Sequence, residues 1–206
     1  MLPSRDAQLV QIVDAALAET ARRSGEWLVC RAGCTQCCIG VFAIHQLDVA
    51  RLQAGMAALD RTDPARASAV RERARISIER LAPDFPGDPA TGVLAQTEEA
   101  EARFENFAND EVCPALDPAT GCCDLYAARP MTCRVFGPPV HAEGGLGVCE
   151  LCYHGATEEE IAACAVETDP GDLEPELIEE AEQASGRRGF TLVAYALAAE
   201  ESPAAS

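Results

Sequence analysis

"CPALDPATGCCDLYAARPMTCRVFG" runs from Cys113 to Gly137. It shows neither the 3.6-residue period of a helix nor the alternation of a strand. Prolines and glycines interrupt it, and residues 110–155 hold six cysteines. Such a segment buries too few apolar side chains to offset the entropy of ordering itself, so it must be tied down from elsewhere. A matching stretch, "CRAGCTQCC" (Cys30–Cys38), supplies four more thiols within nine residues. The expected fold is therefore mainly α, with helices around an irregular cysteine-rich metal-binding centre.

Cys34-x2-Cys37 and Cys149-x2-Cys152 have chelate spacing, in which two intervening residues let both sulfurs turn toward one tetrahedral ion. Adjacent cysteines behave differently. Their side chains diverge, so Cys37-Cys38 and Cys122-Cys123 suggest two centres, two atoms of one cluster, or one structural thiol in each pair. Thiolates select soft or borderline metals such as zinc, iron–sulfur clusters or copper(I), rather than magnesium or calcium. The spacing Cys30-x3-Cys34-x2-Cys37 is also that of radical S-adenosylmethionine enzymes. Gln36 stands where those enzymes carry an aromatic residue, and the chain lacks the strand–helix alternation of their barrel.

The 206 residues suit one domain of ordinary size, long enough to bury a core without covalent staples. Net charge is −18, and all 16 basic residues are arginine. No basic stripe follows a phosphate backbone, so neither nucleic acid nor an anionic membrane surface is an expected partner. Asp6, Asp14 and Glu19 interrupt the N-terminal apolar positions, so no secretory segment is read there and the expected location is cytoplasmic. In a reducing compartment, eleven cysteines, an odd number, are expected as thiols or metal ligands rather than disulfides.

Helical periodicity predicts helices from about Ser4 to Ser24, over 46–60, and from Asp63-Pro64 to Leu81. Further helices are expected from Thr97 to about Asn109, from the capping box at Thr157 and Glu160 to about Glu167, and over 173–185. Residues 190–199 read as a last helix, with a strand as the alternative. Arg66, Arg71, Arg73, Arg75 and Arg80 on the third helix read as a solvated face paired with Glu72 and Glu79. The eleven carboxylates of 157–182 read the same way. Three units follow: an N-terminal helix (1–26), the cysteine domain (27–155) and acidic C-terminal helices packed on it (156–206).

Together, Cys37-Cys38, Cys113-Pro114, Cys123 with Tyr126, and Arg129-Pro130 with Cys133-Arg134 resemble the YkgJ-type, CxxCxxCC cysteine-cluster family of zinc- or iron-chelating proteins. The resemblance covers roughly 27–154. It implies metal chelation; because eight or nine plausible thiolates exceed what one zinc ion takes, an iron–sulfur cluster is the first expectation and zinc the second, with a redox, metal-handling or structural role. A cluster-dependent enzyme distantly similar to flagellin lysine N-methylase is the alternative. The expected ligands are Cys30, Cys34, Cys37, Cys38, Cys113, Cys123, Cys133 and Cys149, with Cys152 in reserve. Cys122 lies outside the pattern, and Cys164 reads as core. Around the ligands, Arg129 and Arg134 either tune the centre or form structural salt bridges, and Tyr126 is expected as a hydrophobic lid. His141 and His154 are candidates to complete a zinc site, and His45 to begin a helix.

Overall fold

The structure, a computed structural model, describes residues 1–31, 33–142 and 145–199. Eight helices are described: α1 (Asp6–Ser24), α2 (Gln46–Thr62), α3 (Pro64–Leu81), α4 (Glu98–Phe104), α5 (Met131–Val135), α6 (Glu158–Cys164), α7 (Leu173–Ser185) and α8 (Val193–Ala198). Strands are short and pair two by two, antiparallel. They are β1 (Ala43–Ile44) with β6 (Thr191–Leu192), β2 (Gly87–Asp88) with β3 (Val93–Leu94), and β4 (Val140–Ala142) with β5 (Gly145–Gly147). The molecule is mainly α. No helix among the described residues is long and apolar enough to cross a membrane.

Local chemistry sets most helix starts. Asp63 accepts from the Arg66 N–H with Pro64 in the first turn, Thr97 accepts from the Ala100 N–H, and Thr157 and Glu160 form a reciprocal capping box. Two predicted ends move inward. The fourth helix stops at Phe104 rather than Asn109, and Ala108 just beyond takes a left-handed φ of 51°. The sixth stops at Cys164 rather than Glu167. Residues 190–199 contain both readings of that segment, with Thr191 and Leu192 completing a ladder with Ala43 and Ile44 before the chain turns into α8. Helix α5 was not expected. Five residues show no period, and only Pro130 before them marks the start.

The core has four parts. The inner faces of α2, α3 and α8 bury Ile44, Leu52, Met56, Val70 and Leu197, with Cys113 and Cys123 against them. Helices α1, α2 and α7 enclose Leu9, Val13, Leu47 and Leu177, and Met131 reaches in from α5. A third group surrounds Phe85, Phe107 and Leu192, and a fourth joins Cys149, Cys152, Tyr153 and Cys164 to Trp27, Leu28 and Phe136. Gly55 of α2 permits close packing on the turn Tyr126–Ala128, since a Cβ there would stand 2.4 Å from Ala128 Cβ.

A charged cluster lies between α1 and α2. Arg51, 3% exposed, donates to Asp6 on one side and Asp48 on the other, and both acids are buried. Two carboxylates share one guanidinium, so the cluster keeps an excess negative charge. Glu174 at the start of α7 feels it: burial, then Asp48, pushes this carboxyl up to about 7. Raised from an ordinary 4.5, it favours the folded state only when protonated. The cost is absent below the ordinary value, grows as pH rises toward 7, and is complete above it. Glu174→Gln should therefore stabilise the fold by about 1–2 kcal/mol at pH 8 and leave it nearly unchanged at pH 4, read by urea unfolding at the two pH values.

Candidate metal centre

The centre is assembled by backbone pairing of two distant loops. The turn Gln36–Cys38 is closed by the Cys38 N–H on the Thr35 carbonyl, 2.8 Å. Cys38 then accepts from the Cys113 N–H at 2.8 Å, Gly40 donates to the Glu111 carbonyl at 2.9 Å, and Ile39 bridges Val112 antiparallel. These bonds set Cys37 and Cys38 beside Cys113. The stretch 113–124 folds back on itself: Leu116 bridges Cys123, and the Asp124 N–H donates to Ala115 at 2.8 Å. Asp117 closes the tip by accepting from the Ala119 N–H and the Thr120 hydroxyl. Cys123 is thereby returned to Cys113.

Helix α5 presents Cys133. Its first N–H, from Met131, donates to Asp48 at 2.9 Å. Arg134, 5% exposed, donates to Asp14 on α1 at 2.7 Å and to the Ala127 carbonyl at 2.8 Å. Of the two roles expected for this arginine, the structure shows the salt bridge, which fixes α5 from behind. Arg129 differs. It donates to the Tyr126 carbonyl, lies over the Tyr126 ring at 4.0 Å, and acts electrostatically on Cys37 and Cys123. Tyr126 itself is 65% exposed, and its ring is a seat for Arg129.

Cys37, Cys113 and Cys123 lie within electrostatic reach of one another and of both Cys38 and Cys133. A hydrogen bond from Cys38 holds the Cys37 thiol well below its usual range, and the same contact pushes Cys38 up. Burial raises Cys113 to about 11 and also raises Cys123 and Cys133, with the neighbouring thiols adding to each. Five thiols are thus gathered where their anionic forms repel. Among the described residues no three His, Cys, Asp or Glu side chains are placed so that they could hold a metal ion. The donor set itself, five soft sulfurs with an arginine beside them, suits zinc or iron–sulfur. A cavity of about 30 Å³, room for one water, touches Cys37, Cys113 and Cys133 under Phe42, Leu81 and Leu192.

The remaining candidates fall elsewhere. Cys149 and Cys152 are buried with Trp27, Leu28 and Phe136 against them, Cys30 is exposed and Cys34 is half-buried. Cys122 is exposed, and Cys164 is buried beside Tyr153. His141 and His154 are exposed, and His45 occupies the N-cap position of α2 with its ring 4.4 Å from that of Phe190.

Sequence reasoning missed the clamp that holds the loop. Asp124 has a side chain only 1% exposed and receives both Arg66 and Arg73 of α3; Arg73 also donates to the Pro114 carbonyl at 2.8 Å. Arg75 pairs with Glu72 and Glu79 as a solvated face should. The arginine row is therefore divided: one edge faces water and the other grips the cysteine loop. Only the position of Asp124, next to Cys123, signalled this in the sequence.

A family model described as "CxxCxxCC: Putative zinc- or iron-chelating domain" matches residues 29–146, more than half of the chain. No curated protein and no solved structure matches.

Proposed function

We propose, because this chain belongs to the CxxCxxCC family of zinc- or iron-chelating domains, that Cys37, Cys38, Cys113, Cys123 and Cys133 hold its metal. The observation that carries this reading is the backbone lacing of Cys38 to Cys113, which joins sequence-distant thiols around one point. Five thiolates exceed the four that one zinc ion takes, and the adjacent pair Cys37-Cys38 suits different atoms of a cluster, so an iron–sulfur cluster is the first reading and zinc the second. Such a cluster supplies a one-electron couple. The protein's own part is to converge the thiols, to place the Arg129 charge beside them, and to limit water to a space of about 30 Å³. The function read from this is metal binding with a redox, metal-handling or structural role, and a cluster-dependent enzyme is the alternative.

Anaerobic purification with iron, sulfide and zinc analysis tests this. Broad visible absorption with iron and sulfide means a cluster, and colourless protein with stoichiometric zinc means the second reading. In either case Cys123→Ser/Cys133→Ser should lower the metal of this centre about tenfold or more while helical circular dichroism is kept. A metal-free wild type would sink the proposal.

A further inference from the structure

We propose that Ser77 of α3 is a positioning residue of the cysteine centre: its hydroxyl holds one water molecule in the cavity beside the thiols, and that water hydrogen-bonds the sulfurs of Cys37, Cys113 and Cys133. This role rests on the five-thiol reading and adds to it a donor that reaches the sulfurs from the core.

The buried stripe of α3 is Ala67, Val70, Ala74, Ser77 and Leu81. An alanine at 77 would continue the stripe with no polar atom in it. Ser77 is instead 1% exposed, and its Oγ has no hydrogen-bond partner among the described residues. A serine inside a helix can satisfy itself by turning back to the carbonyl four residues earlier, here that of Arg73. Ser77 does not, so its hydroxyl carries the full cost of desolvation unless the adjoining space supplies a partner.

That space is the cavity of about 30 Å³, which Ser77 lines together with Cys37, Cys113 and Cys133. One water needs about 10–15 Å³ of such space, and it stays only where two to four polar groups meet it. The Ser77 hydroxyl and the three thiols make such a set, while Phe42, Leu81 and Leu192 close the space with apolar surface.

Two ties hold this stretch of α3 against the cysteine loop. Arg73, one turn before Ser77, donates to the Pro114 carbonyl at 2.8 Å. Arg80, one turn after, pairs with Glu111 at 2.7 Å. Glu111 and Pro114 flank Cys113 and line the same cavity, so the segment that carries this thiol is pinned on both sides.

Crowded anionic sulfurs repel, and each O–H···S bond disperses part of that charge. When the Ser77 O–H donates to the water oxygen, both water hydrogens are left for sulfur. Arg129, seated on the Tyr126 ring, brings positive charge to the centre, and Ser77 brings a neutral donor.

The test uses the full-length protein as wild type, Ser77→Ala and Ser68→Ala. Ser68 is an exposed serine of the same helix, and its replacement reports the ordinary effect of alanine on helix stability. Each protein is loaded with cobalt(II) alone, a coloured stand-in for a zinc-class ion. Ser77→Ala should bind cobalt about tenfold more weakly than the other two and move the thiolate-to-cobalt absorption to longer wavelength, with helical circular dichroism unchanged. Metal-free Ser77→Ala should unfold at lower urea than Ser68→Ala, and a crystal structure of wild type should show one water between Ser77 Oγ and sulfur. Equal cobalt affinity with an unmoved band overturns the role. So does a Ser77→Ala midpoint at or above that of Ser68→Ala, because removing an unpartnered buried hydroxyl stabilises, and so does a dry cavity. A wild type that binds no metal sinks the five-thiol reading and this role together. Metal bound through Cys123 and Cys133, with Ser77→Ala equal to wild type, sinks this role alone.

Discussion

Replacing Arg51 by methionine should cost the fold about 3–5 kcal/mol, because it leaves Asp6 and Asp48 buried without their cation. For a chain of this size that corresponds to a fall of about 10 °C in Tm. Burial already pushes the Asp48 carboxyl up, and Arg51, then the Met131 N–H and His45, offset it. The loss should therefore be largest near pH 8 and smaller near pH 4, where the raised Asp48 carboxyl takes up a proton more readily. Because Asp48 also holds the first N–H of α5, the variant should loosen Cys133 and lower metal content as well as Tm. Equal losses at the two pH values would sink the electrostatic account. Full metal content in a destabilised protein would sink the link to α5.

Asp124→Ala should remove about 3 kcal/mol and lower metal content about tenfold. The carboxylate is nearly inaccessible and accepts from Arg66 and Arg73, the two side chains that bind the 113–124 loop to α3. Without it, Arg73 loses its partner next to Cys123. Asp124→Asn keeps the shape but not the charge and should fall between alanine and wild type. Arg75→Ala, on the same helix but in pairs open to water, should change neither stability nor metal content appreciably. Chemical denaturation and elemental analysis of the four proteins decide it. An Asp124→Ala protein with wild-type metal content would show that the clamp is not needed to shape the centre.

Much of the scaffold was legible because its signals are local. Asp63 before Pro64, Thr97 and the Thr157–Glu160 box are capping chemistry within one turn, and each starts a helix where expected. Apolar spacing likewise marked Leu9 and Val13 of α1, and Leu47, Leu52 and Met56 of α2, as inward. Helix α5 escaped because five residues are shorter than any usable period; it is held by Asp48 and Asp14, far away in the chain. The mixed end of the chain escaped for a related reason. Thr191 and Leu192 become a strand only because Ala43 and Ile44 offer an open ladder.

By itself the sequence determined the chemistry of this protein: thiols in chelate spacing, an acidic surface without lysine, capped helices and a family resemblance carried by five short motifs. These depend on residue type and on neighbours a few positions apart. Only the tertiary structure decided how the thiols divide. It laced Cys38 to Cys113, folded Cys123 back toward Cys113, left Cys122 in solvent, and turned Arg66 and Arg73 inward onto Asp124. Spacing along a chain says which thiols can share an ion. Which of them meet depends on backbone bonds between distant residues, such as Cys38 to Cys113, 75 positions apart, and no local pattern encodes those.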